Sequence, residues 1–468
     1  MDNVAVNKDH LLFRLNQKAI METSNQPSRP YDFVIFGASG FTGKYVIREA
    51  IKFLSTPTSP LNSMAIAGRS SSKLAAALNW ATNNSPPPNI PIITADVTDP
   101  NSLLALCAKT KLILNCVGPY RLYGAPVVAA CIQTATDYLD ISGEPEFMER
   151  MEIEYHEKAK HCGSLIVSAC GFDSIPAELG VMFNTRQWGN PSAPNRIEAY
   201  LSLESEKRIV GNYATYESAV LGVANVSNLQ ALRRLRPKRA RPMIPGSRPE
   251  GNLIGYNKEI NRWGIKLPSA DSVVVRRTLS SFAENPNGLA GVEETSDQLE
   301  KRTAFWATVK PAHFGVKVAS KSLISIVRFI MIGLLIGLLA NFELGRILLL
   351  KFPSFFSVGL FSKKGPSEEE VEGASFKMWF VGEGYSDCKN VSGRCDAKVV
   401  TRVSGPEIGY VTTPIVLVQC ALVVLSQRKS LPMGGVYSPG ILFGPTDLQQ
   451  RLQENGVSFD VVSKLGVL

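Results

Sequence analysis

The stretch VIFGASGFTGK, from Val34 to Lys44, carries three glycines, each three residues after the last. An apolar, β-branched run over residues 31–36 leads into it and predicts a buried strand. Residues 42–54 follow it with apolar side chains at three- and four-residue spacing, which predicts a helix. The glycines therefore lie at a strand-to-helix turn, where free backbone N–H groups and the positive end of the helix favour a phosphate.

The glycine spacing is G-x-x-G-x-x-G, which differs from the commonest dinucleotide fingerprint and is weak evidence by itself. Its position between a strand and a helix strengthens it, and we predict that the turn binds the pyrophosphate of a dinucleotide. A tight turn in another kind of α/β domain is the alternative. The predicted cofactor-binding residues of the turn are Gly37, Ser39, Gly40, Phe41, Thr42 and Gly43.

A second predicted strand, residues 64–67, ends in Gly68 and Arg69. At this place an acidic residue accepts a hydrogen bond from a ribose 2'-hydroxyl, whereas an arginine pairs with a 2'-phosphate. No carboxylate occurs between Glu49 and Asp96. The sequence therefore predicts NADP rather than NAD, with a solvated loop arginine as the alternative.

Strands and helices continue to alternate along the chain, with further strands predicted at 92–95, 112–116, 138–141 and 165–169 and helices at 125–134 and 145–162. This alternation predicts an α/β fold with a doubly wound parallel sheet of the Rossmann type, covered on both faces. The carboxyl ends of such strands face the ligand crevice. The loops there add Asp96, Val97, Cys116, Gly118 and Pro119 to the predicted cofactor-binding residues.

Composition sets limits on the class of protein. The chain has 468 residues, 45% hydrophobic and 19% charged, which suits a globular protein of two or three domains. Its eight cysteines contain no C-x-x-C pair, so we expect reduced thiols in an intracellular protein. The four histidines show no ligand spacing, and no metal site is predicted.

Domain boundaries follow from the same pattern. Residues 1–30 are polar and predict a flexible extension. The acidic Asp2 and Asp9 argue against a mitochondrial transit peptide, although that alternative stays open. Translation that starts at Met21 is a further alternative. A dinucleotide-binding domain is predicted over 31–190. We expect residues 440–468 to complete it, with the strand 457–463 rejoining its sheet.

The middle of the chain, residues 191–439, predicts a second, α+β domain for substrate binding or dimerisation. Residues 196–205, 374–385 and 398–404 alternate apolar and polar side chains as strands do. A helical stretch, residues 213–235, opens this domain.

Five motifs together resemble the saccharopine dehydrogenase-like oxidoreductases. They are GASGFTG (37–43), NCVGPY (115–120), YLDISGE (138–144), SACGFDSIPAELG (168–180) and KKGPSEEE (363–370). The resemblance covers nearly the whole chain from Tyr31 onward and implies a Rossmann-type domain, a second domain on the substrate side and nicotinamide-dependent activity. That superfamily includes saccharopine reductases and bacterial trans-acting enoyl reductases that work on lipid intermediates, so the resemblance leaves the substrate open.

A hydrophobic segment, residues 322–361, departs from the soluble-enzyme pattern. Its uncharged part, 329–342, spans roughly 21 Å as a helix, less than a hydrocarbon core of about 30 Å. We therefore predict a monotopic hairpin or in-plane insertion into a membrane or lipid-droplet surface. A buried core or dimer-interface helix is the alternative. The lysines expected at the lipid headgroups are Lys317, Lys321, Lys351, Lys363 and Lys364.

The run RRLRPKRAR, residues 233–241, has six basic residues in nine. A nuclear signal or nucleic-acid patch is the usual interpretation of such a run. No aromatic residues are interleaved with it, and we predict no nucleic-acid partner. Attraction to anionic lipid and a merely solvated loop are the interpretations that remain.

Candidate catalytic residues must lie at the carboxyl ends of sheet strands, beside the nicotinamide. Tyr120 and Asp173 meet this condition, and Asp140 and Glu144 meet it less clearly. Hydride transfer needs orientation and one proton donor rather than a particular side chain. A structural role as a loop or cap residue is the alternative for each of the four.

Two functions of different classes fit these observations. One is an intracellular, membrane- or droplet-associated reductase that uses NADPH on a small or lipid substrate, with a homodimer left open. The other is a non-catalytic membrane or lipid-droplet component that keeps the dinucleotide fold. A soluble saccharopine reductase is a weaker third, because it gives the hydrophobic segment no role.

Overall fold

A computed structural model describes residues 29–54, 56–85, 89–235, 244–247, 253–266, 269–289, 292, 294–389 and 394–467. The predicted extension up to residue 28 and most of the basic run, from residue 236 on, lie outside the described residues.

The described strands, in chain order, are β1 Tyr31–Phe36, β2 Met64–Gly68, β3 Ile92–Thr94, β4 Thr110–Asn115, β5 Asp137–Asp140, β6 Leu165–Val167, β7 Ala193–Ser205, β8 Gly211–Asn212, β9 Ile254–Asn257, β10 Arg262–Lys266, β11 His313–Ser320, β12 Phe361–Ser362, β13 Ala374–Tyr385, β14 Ala397–Pro406, β15 Gly435–Tyr437 and β16 Ser458–Leu465. The described α-helices are α1 Phe41–Leu54, α2 Ser71–Ala81, α3 Pro100–Cys107, α4 Tyr120–Gln133, α5 Pro145–Cys162, α6 Ile175–Thr185, α7 Tyr213–Ala224, α8 Val226–Leu235, α9 Ala270–Glu284, α10 Ser296–Thr308, α11 Leu323–Ala340, α12 Glu343–Lys351, α13 Pro353–Phe356, α14 Glu368–Glu372, α15 Thr413–Gln427, α16 Pro439–Phe443 and α17 Leu448–Glu454.

The first sheet has seven strands in the order β15-β6-β5-β4-β1-β2-β3, and all its pairs are parallel. Strand order reverses between β1 and β4, which opens a crevice at their carboxyl ends. The buried, β-branched strands and the helices on both faces give the sheet two apolar clusters, one on each side. The prediction of a doubly wound parallel sheet is confirmed.

The terminal strand does not rejoin this sheet, and that part of the domain prediction is wrong. β16 pairs antiparallel with β14, whereas β15 takes the place beside β6. Residues 458–465 leave Val461, Val462 and Leu465 exposed, as an edge strand of an antiparallel sheet does. A parallel strand inside the first sheet would need burial on both faces.

The second sheet also has seven strands, in the order β16-β14-β13-β7-β11-β10-β9. Its pairs are antiparallel except β7 with β11. Helix α6 connects it to the first sheet. A Cβ at Gly180 of this helix would lie 2.1 Å from Cζ of Phe380 on β13, so only glycine allows this approach. One apolar cluster runs through both sheets.

Two helices among the described residues are long and apolar enough to cross a membrane. The first is residues 408–430, which include α15; 78% of the residues in its most apolar 18-residue stretch are buried, and it packs in the core between the sheets. The second is α11, in which 11% of the residues are buried. α11 and α12 form a helical hairpin whose inner face packs on Tyr216 and Val220 of α7. The segment therefore lies along the second domain.

The lysines around this segment differ in exposure. Lys321, Lys351, Lys363 and Lys364 are exposed. Lys317 is buried on β11, where its Nζ lies 2.8 Å from Glu198 Oε1 and over the ring of Tyr200. The prediction that Lys317 lies at lipid headgroups is wrong, because the alternation of β11 turns this side chain toward the neighbouring strand.

Candidate functional site

Exposed residues line the carboxyl edge of the first sheet, one from the loop after each of five strands. In the order of the sheet they are Asp173 after β6, Gly143 after β5, Gly118 after β4, Gly40 after β1 and Arg69 after β2. Neighbouring strands lie about 4.8 Å apart, so Asp173 and Arg69 are separated by roughly 19 Å. An extended dinucleotide with its adenosine at β2 would place its nicotinamide at the Asp173 end.

The glycine turn after β1 is built for close backbone approach. Gly37 has φ of +82°, and a Cβ there would lie 2.8 Å from Cγ2 of Val117. A Cβ at Gly43, inside α1, would lie 2.3 Å from the Gly37 oxygen. The Gly40 amide donates to that same oxygen at 2.9 Å. These contacts exclude side chains from the turn and leave the first-turn N–H groups of α1 facing the crevice.

The loop after β4 is held beside this turn. The Cys116 amide donates to the Phe36 oxygen at 2.8 Å, and the Val117 amide donates to Oδ1 of Asn115 at 3.0 Å. Burial raises the pKa of the Cys116 thiol to about 12. The thiol therefore stays neutral, and Cys116, Gly118 and Pro119 can contribute backbone and shape rather than a nucleophile.

At the other end of the crevice, Arg69 lies exposed next to Ser70, which caps α2 by accepting from the Lys73 amide. Asp96 accepts from the amide and the hydroxyl of Thr98, both at 2.9 Å. Those bonds, with a smaller contribution from the charge of Arg69, lower the pKa of the Asp96 carboxyl. An exposed guanidinium at this position fits a ribose 2'-phosphate.

The structure gives Tyr120 and Glu144 structural partners. The Tyr120 hydroxyl is buried and donates to the Asn115 oxygen at 2.9 Å. Glu144 accepts from the amides of Tyr120 and Arg121, at 2.8 and 3.0 Å, and from the Ser218 hydroxyl of α7 at 3.1 Å. Glu144 thus joins the first domain to α7.

Asp140 is also engaged inside the protein. Its carboxyl accepts from the Ser142 amide, the Ala169 amide and the Ser168 hydroxyl, each at 2.9 Å. Burial raises its pKa to about 6. The side chain joins the loops after β5 and β6 and does not reach the crevice.

Asp173 is the predicted catalytic residue that the structure leaves open to solvent. Its Oδ2 lies 3.0 Å from where a Cβ on Gly143 would stand, so the loops after β5 and β6 meet at this carboxyl. The partial loss of its water shell there raises its pKa even though the side chain is exposed. A carboxyl of this kind can carry a proton nearer neutral pH than a free aspartate.

Sequence reasoning missed Asp271, which α9 of the second domain brings toward Asp173. Asp271 is buried at the start of α9, and its Oδ2 accepts from the Ser269 hydroxyl at 2.9 Å. In the sequence it resembles an ordinary acidic residue in a first helical turn. No local pattern separates such a helix-start residue from a site residue, because Asp173 lies about a hundred residues away from Asp271 in the chain.

Comparison with known proteins agrees with this geometry. The family model described as the saccharopine dehydrogenase NADP binding domain matches residues 33–167, which contain the glycine turn and Arg69. A probable mitochondrial saccharopine dehydrogenase-like oxidoreductase of Arabidopsis thaliana is 61% identical over 95% of this chain and 99% of its own length. The chain belongs to the saccharopine dehydrogenase-like oxidoreductase family. It carries an NADP-binding domain, as the sequence predicted.

Two further similarities extend over both domains. A lipid droplet localized protein of Caenorhabditis elegans is 32% identical over 93% of this chain and 99% of its own length. The apo structure of saccharopine dehydrogenase (L-Glu forming) from Saccharomyces cerevisiae matches with a TM-score of 0.51 and 10% identity. That match covers 92% of this chain and 100% of the yeast chain, and it shows a shared fold.

The residues of the crevice fit NADP. The turn around Gly40 excludes side chains where the pyrophosphate needs backbone, and Arg69 supplies a cation for the 2'-phosphate. Among the described residues no group of three or more His, Cys, Asp or Glu side chains is arranged to hold a metal ion.

Proposed function

We propose that this protein is an NADPH-dependent reductase that acts on an apolar or lipid substrate at the surface of a membrane or lipid droplet. The observation that carries the proposal is an exposed apolar surface in a chain that also has a complete dinucleotide crevice. The family supports oxidoreductase chemistry, and the surface supports the class of substrate.

The surface is one face of α11. Ile324, Val327, Met331, Leu334 and Leu338 are all exposed and recur at three- and four-residue spacing, and we call them the apolar stripe. The opposite face of α11 packs on the protein, where Ile326 and Ala340 are buried. A continuous exposed face of this kind marks a membrane or protein contact.

The position of α11 supports in-plane insertion rather than a crossing. Since one face is held by α7, the stripe and the exposed side chains beside it, such as Phe329 and Leu335, form the part of α11 that can enter lipid. Helix α12 extends the same surface with exposed Leu344 and Ile347, and Phe355 of α13 is exposed too. Amphipathic helices that lie in the interface bury their apolar face about 5–10 Å deep.

Lysines occur where headgroups would lie. Lys351, Lys363 and Lys364 line an open surface depression together with Phe352 and Phe355. This mixture of cations and aromatic rings suits the boundary between headgroups and acyl chains.

The hydrophobic segment returns to the protein next to the cofactor turn. β12 pairs with β8, and a Cβ at Gly365 would lie 2.7 Å from the ring of Phe41 at the start of α1. The Asn212 amide of β8 donates to the Tyr410 hydroxyl at 2.7 Å, and the Tyr410 ring contacts Phe41 at 4.8 Å between centroids. A substrate that enters from lipid along this segment would arrive close to the dinucleotide.

Of the two predicted catalytic residues, we retain Asp173 because its carboxyl is open to the crevice. Tyr120 is set aside because its hydroxyl is buried on Asn115. Bound NADPH would supply a hydride, while the protein orients the substrate and Asp173 moves the proton. The names of the relatives point to lipid droplets and mitochondria as the surfaces to examine first.

A non-catalytic membrane component that binds NADP is the second candidate, and the apolar stripe favours it equally. The experiment that separates the two follows NADPH absorbance at 340 nm while the full-length protein is mixed with vesicles made from extracted cellular lipids. We expect lipid-dependent NADPH oxidation, and none with Gly40→Asp, whose side chain blocks the turn. Tight NADPH binding without oxidation in any lipid fraction would contradict the reductase and leave the non-catalytic candidate.

A further inference from the structure

Two buried polar atoms without partners belong to residues near Asp173, one next to it in the chain and one in the second domain. Asp271 Oδ1 and Ser174 Oγ have no hydrogen-bond partner among the described residues, although these two residues are only 2% and 1% exposed. A buried polar atom left unpaired costs about 1–3 kcal/mol, so native proteins keep few of them. Two unpaired atoms near the exposed Asp173 carboxyl therefore indicate a site that exchanges a proton or binds a ligand.

Ser174 stands at the N-cap position of α6, where a serine hydroxyl normally accepts from the first helical turn. Here its side chain makes no such bond. The hydroxyl next to Asp173 is therefore not used for capping and is free to relay a proton.

Helix α9 brings Asp271 to the same place from the second domain. Ala270 and Val274, in the same helical turn, pack on Ala169 at the carboxyl end of β6. Ser269 caps α9 and donates to Asp271 Oδ2, which leaves Oδ1 as the unpaired oxygen. The carboxyls of Asp173 and Asp271 therefore come from the two domains and lie near enough for their charges to interact, at the end of the crevice where the nicotinamide would lie.

We propose that Asp173 and Asp271 share one proton and deliver it to the substrate during reduction. In this carboxyl pair Asp173 is the catalytic residue, because it is exposed to the crevice, and Asp271 is a buried positioning residue that retains the proton. The inference rests on the proposed reductase function and adds its proton source.

The surroundings of Asp271 keep the pair protonated. Burial, with a smaller contribution from the charge of Asp173, raises the pKa of Asp271 to about 8. Glu178 on α6 also faces it, and burial raises the pKa of that carboxyl to about 7. Because neighbouring acids disfavour a second negative charge, the pair retains a proton at neutral pH.

Several charged groups on the elements packed around Asp271 have partners of their own. Arg277 of α9 pairs with Glu152 of α5, and Lys317 of β11 pairs with Glu198. Helix α16 contributes no titratable side chain. Glu149 of α5 pairs with Arg233. Arg276 and Glu284 of α9 and His313 of β11 also make interactions of their own.

The reaction balances with NADPH as the reductant. One atom of a C=C, C=O or C=N double bond would receive a hydride from bound NADPH, which would form the new C–H bond and leave the cofactor oxidised. The carboxyl O–H of the pair breaks, and its proton bonds to the other atom of that double bond. Asp173 then takes a proton from water, which restores the pair.

The first test needs no substrate. Infrared spectra of full-length protein labelled with carboxyl-¹³C aspartate are recorded from pH 5 to 10. We expect a protonated aspartate signal that persists above pH 7, is lost in Asp271→Asn and titrates at least one pH unit lower in Asp173→Asn. The control Asp297→Asn, an exposed position on α10, leaves the titration unchanged. A wild-type protein without protonated aspartate above pH 7 would overturn the pair.

The second test uses lipid-dependent NADPH oxidation. We expect Asp173→Asn to lower kcat by at least a hundredfold with unchanged affinity for NADPH, since general acids contribute about 10²- to 10⁴-fold. Asp271→Asn should move the alkaline limb of the pH profile. If wild-type protein is active and neither substitution changes its pH profile, the carboxyl pair is refuted. If wild-type protein is inactive in every lipid, the reductase is refuted, and the infrared result alone then tests the pair.

Discussion

Removing the apolar stripe should release the protein from lipid without unfolding it. Ile324, Leu334 and Leu338 are 80%, 64% and 63% exposed. Complete burial of such a side chain is worth about 1.5–3 kcal/mol, so insertion of these three contributes roughly 4 kcal/mol. The triple variant Ile324→Gln/Leu334→Gln/Leu338→Gln loses that contribution, which corresponds to about a thousandfold weaker partitioning.

The assay is flotation of full-length protein with phosphatidylcholine vesicles on a density gradient. We expect wild-type protein to float with the vesicles and the triple variant to stay in the soluble fraction. Because glutamine is a good helix former and the replaced side chains face water, the free energy of unfolding should change by less than about 1 kcal/mol. The matched control is Ile153→Gln/Leu299→Gln, at positions 45% and 46% exposed on α5 and α10, which should float like wild type.

Two results would refute this reasoning. If the triple variant floats as wild type does, the stripe is not the lipid contact. If it unfolds much more easily, or if sedimentation shows a wild-type dimer and a variant monomer, the stripe is a protein interface. The second result would support the alternative of a dimer-interface helix.

Three further outcomes follow from the crevice and the core. Arg69→Ala should weaken NADPH binding about 10- to 100-fold and leave NADH binding unchanged, since a charge-assisted hydrogen bond contributes about 1.5–3 kcal/mol. Calorimetry with both cofactors measures this. Equal losses for both cofactors would show that Arg69 does not bind the 2'-phosphate. Gly43→Ala should abolish NADPH binding because its Cβ would lie 2.3 Å from the Gly37 oxygen. The control Gly222→Ala, at a helical position with open space around it, should not affect NADPH binding. Retained binding in Gly43→Ala would disprove the geometry of the turn. Burial raises the pKa of Glu178 from 4.5 to about 7, so the folded form binds the proton more tightly than the unfolded form. The free energy of unfolding should therefore fall as pH rises from about 4.5 to 7, by on the order of 3 kcal/mol. Urea unfolding at pH 4.5 and 8 should show a smaller fall for Glu178→Gln, and an equal fall in both proteins would contradict this.

The elements that the sequence predicted best have marked ends or a clear period. Strand β13 occupies Ala374–Tyr385, the range that its alternation predicts. Helix α5 begins at Pro145 and ends at Cys162, as predicted, because a proline starts it and Gly163 stops it with φ of +78°. Along the crevice, the glycine turn and Arg69 were predictable because the backbone chemistry of a phosphate site restricts the residue types.

Other elements gave no readable signal. β15 has three residues, too few to show a period, and it extends the first sheet, which we expected the terminal strand to do. Helix α15 is buried all round, so it lacks the amphipathic pattern by which a helix is recognised in a sequence. Asp271 could not be predicted because its role depends on a contact between domains.

Transfer of deuterium from [4-²H]NADPH to lipid would show directly whether the protein reduces a lipid. Full-length protein is incubated with labelled cofactor, of either stereochemistry at C4, and vesicles of extracted cellular lipids, and the organic phase is analysed by mass spectrometry. We expect deuterium in a reduced lipid with wild-type protein and none with Gly40→Asp. Label that stays entirely on the nicotinamide, in protein shown to bind NADPH and to float with vesicles, would contradict it.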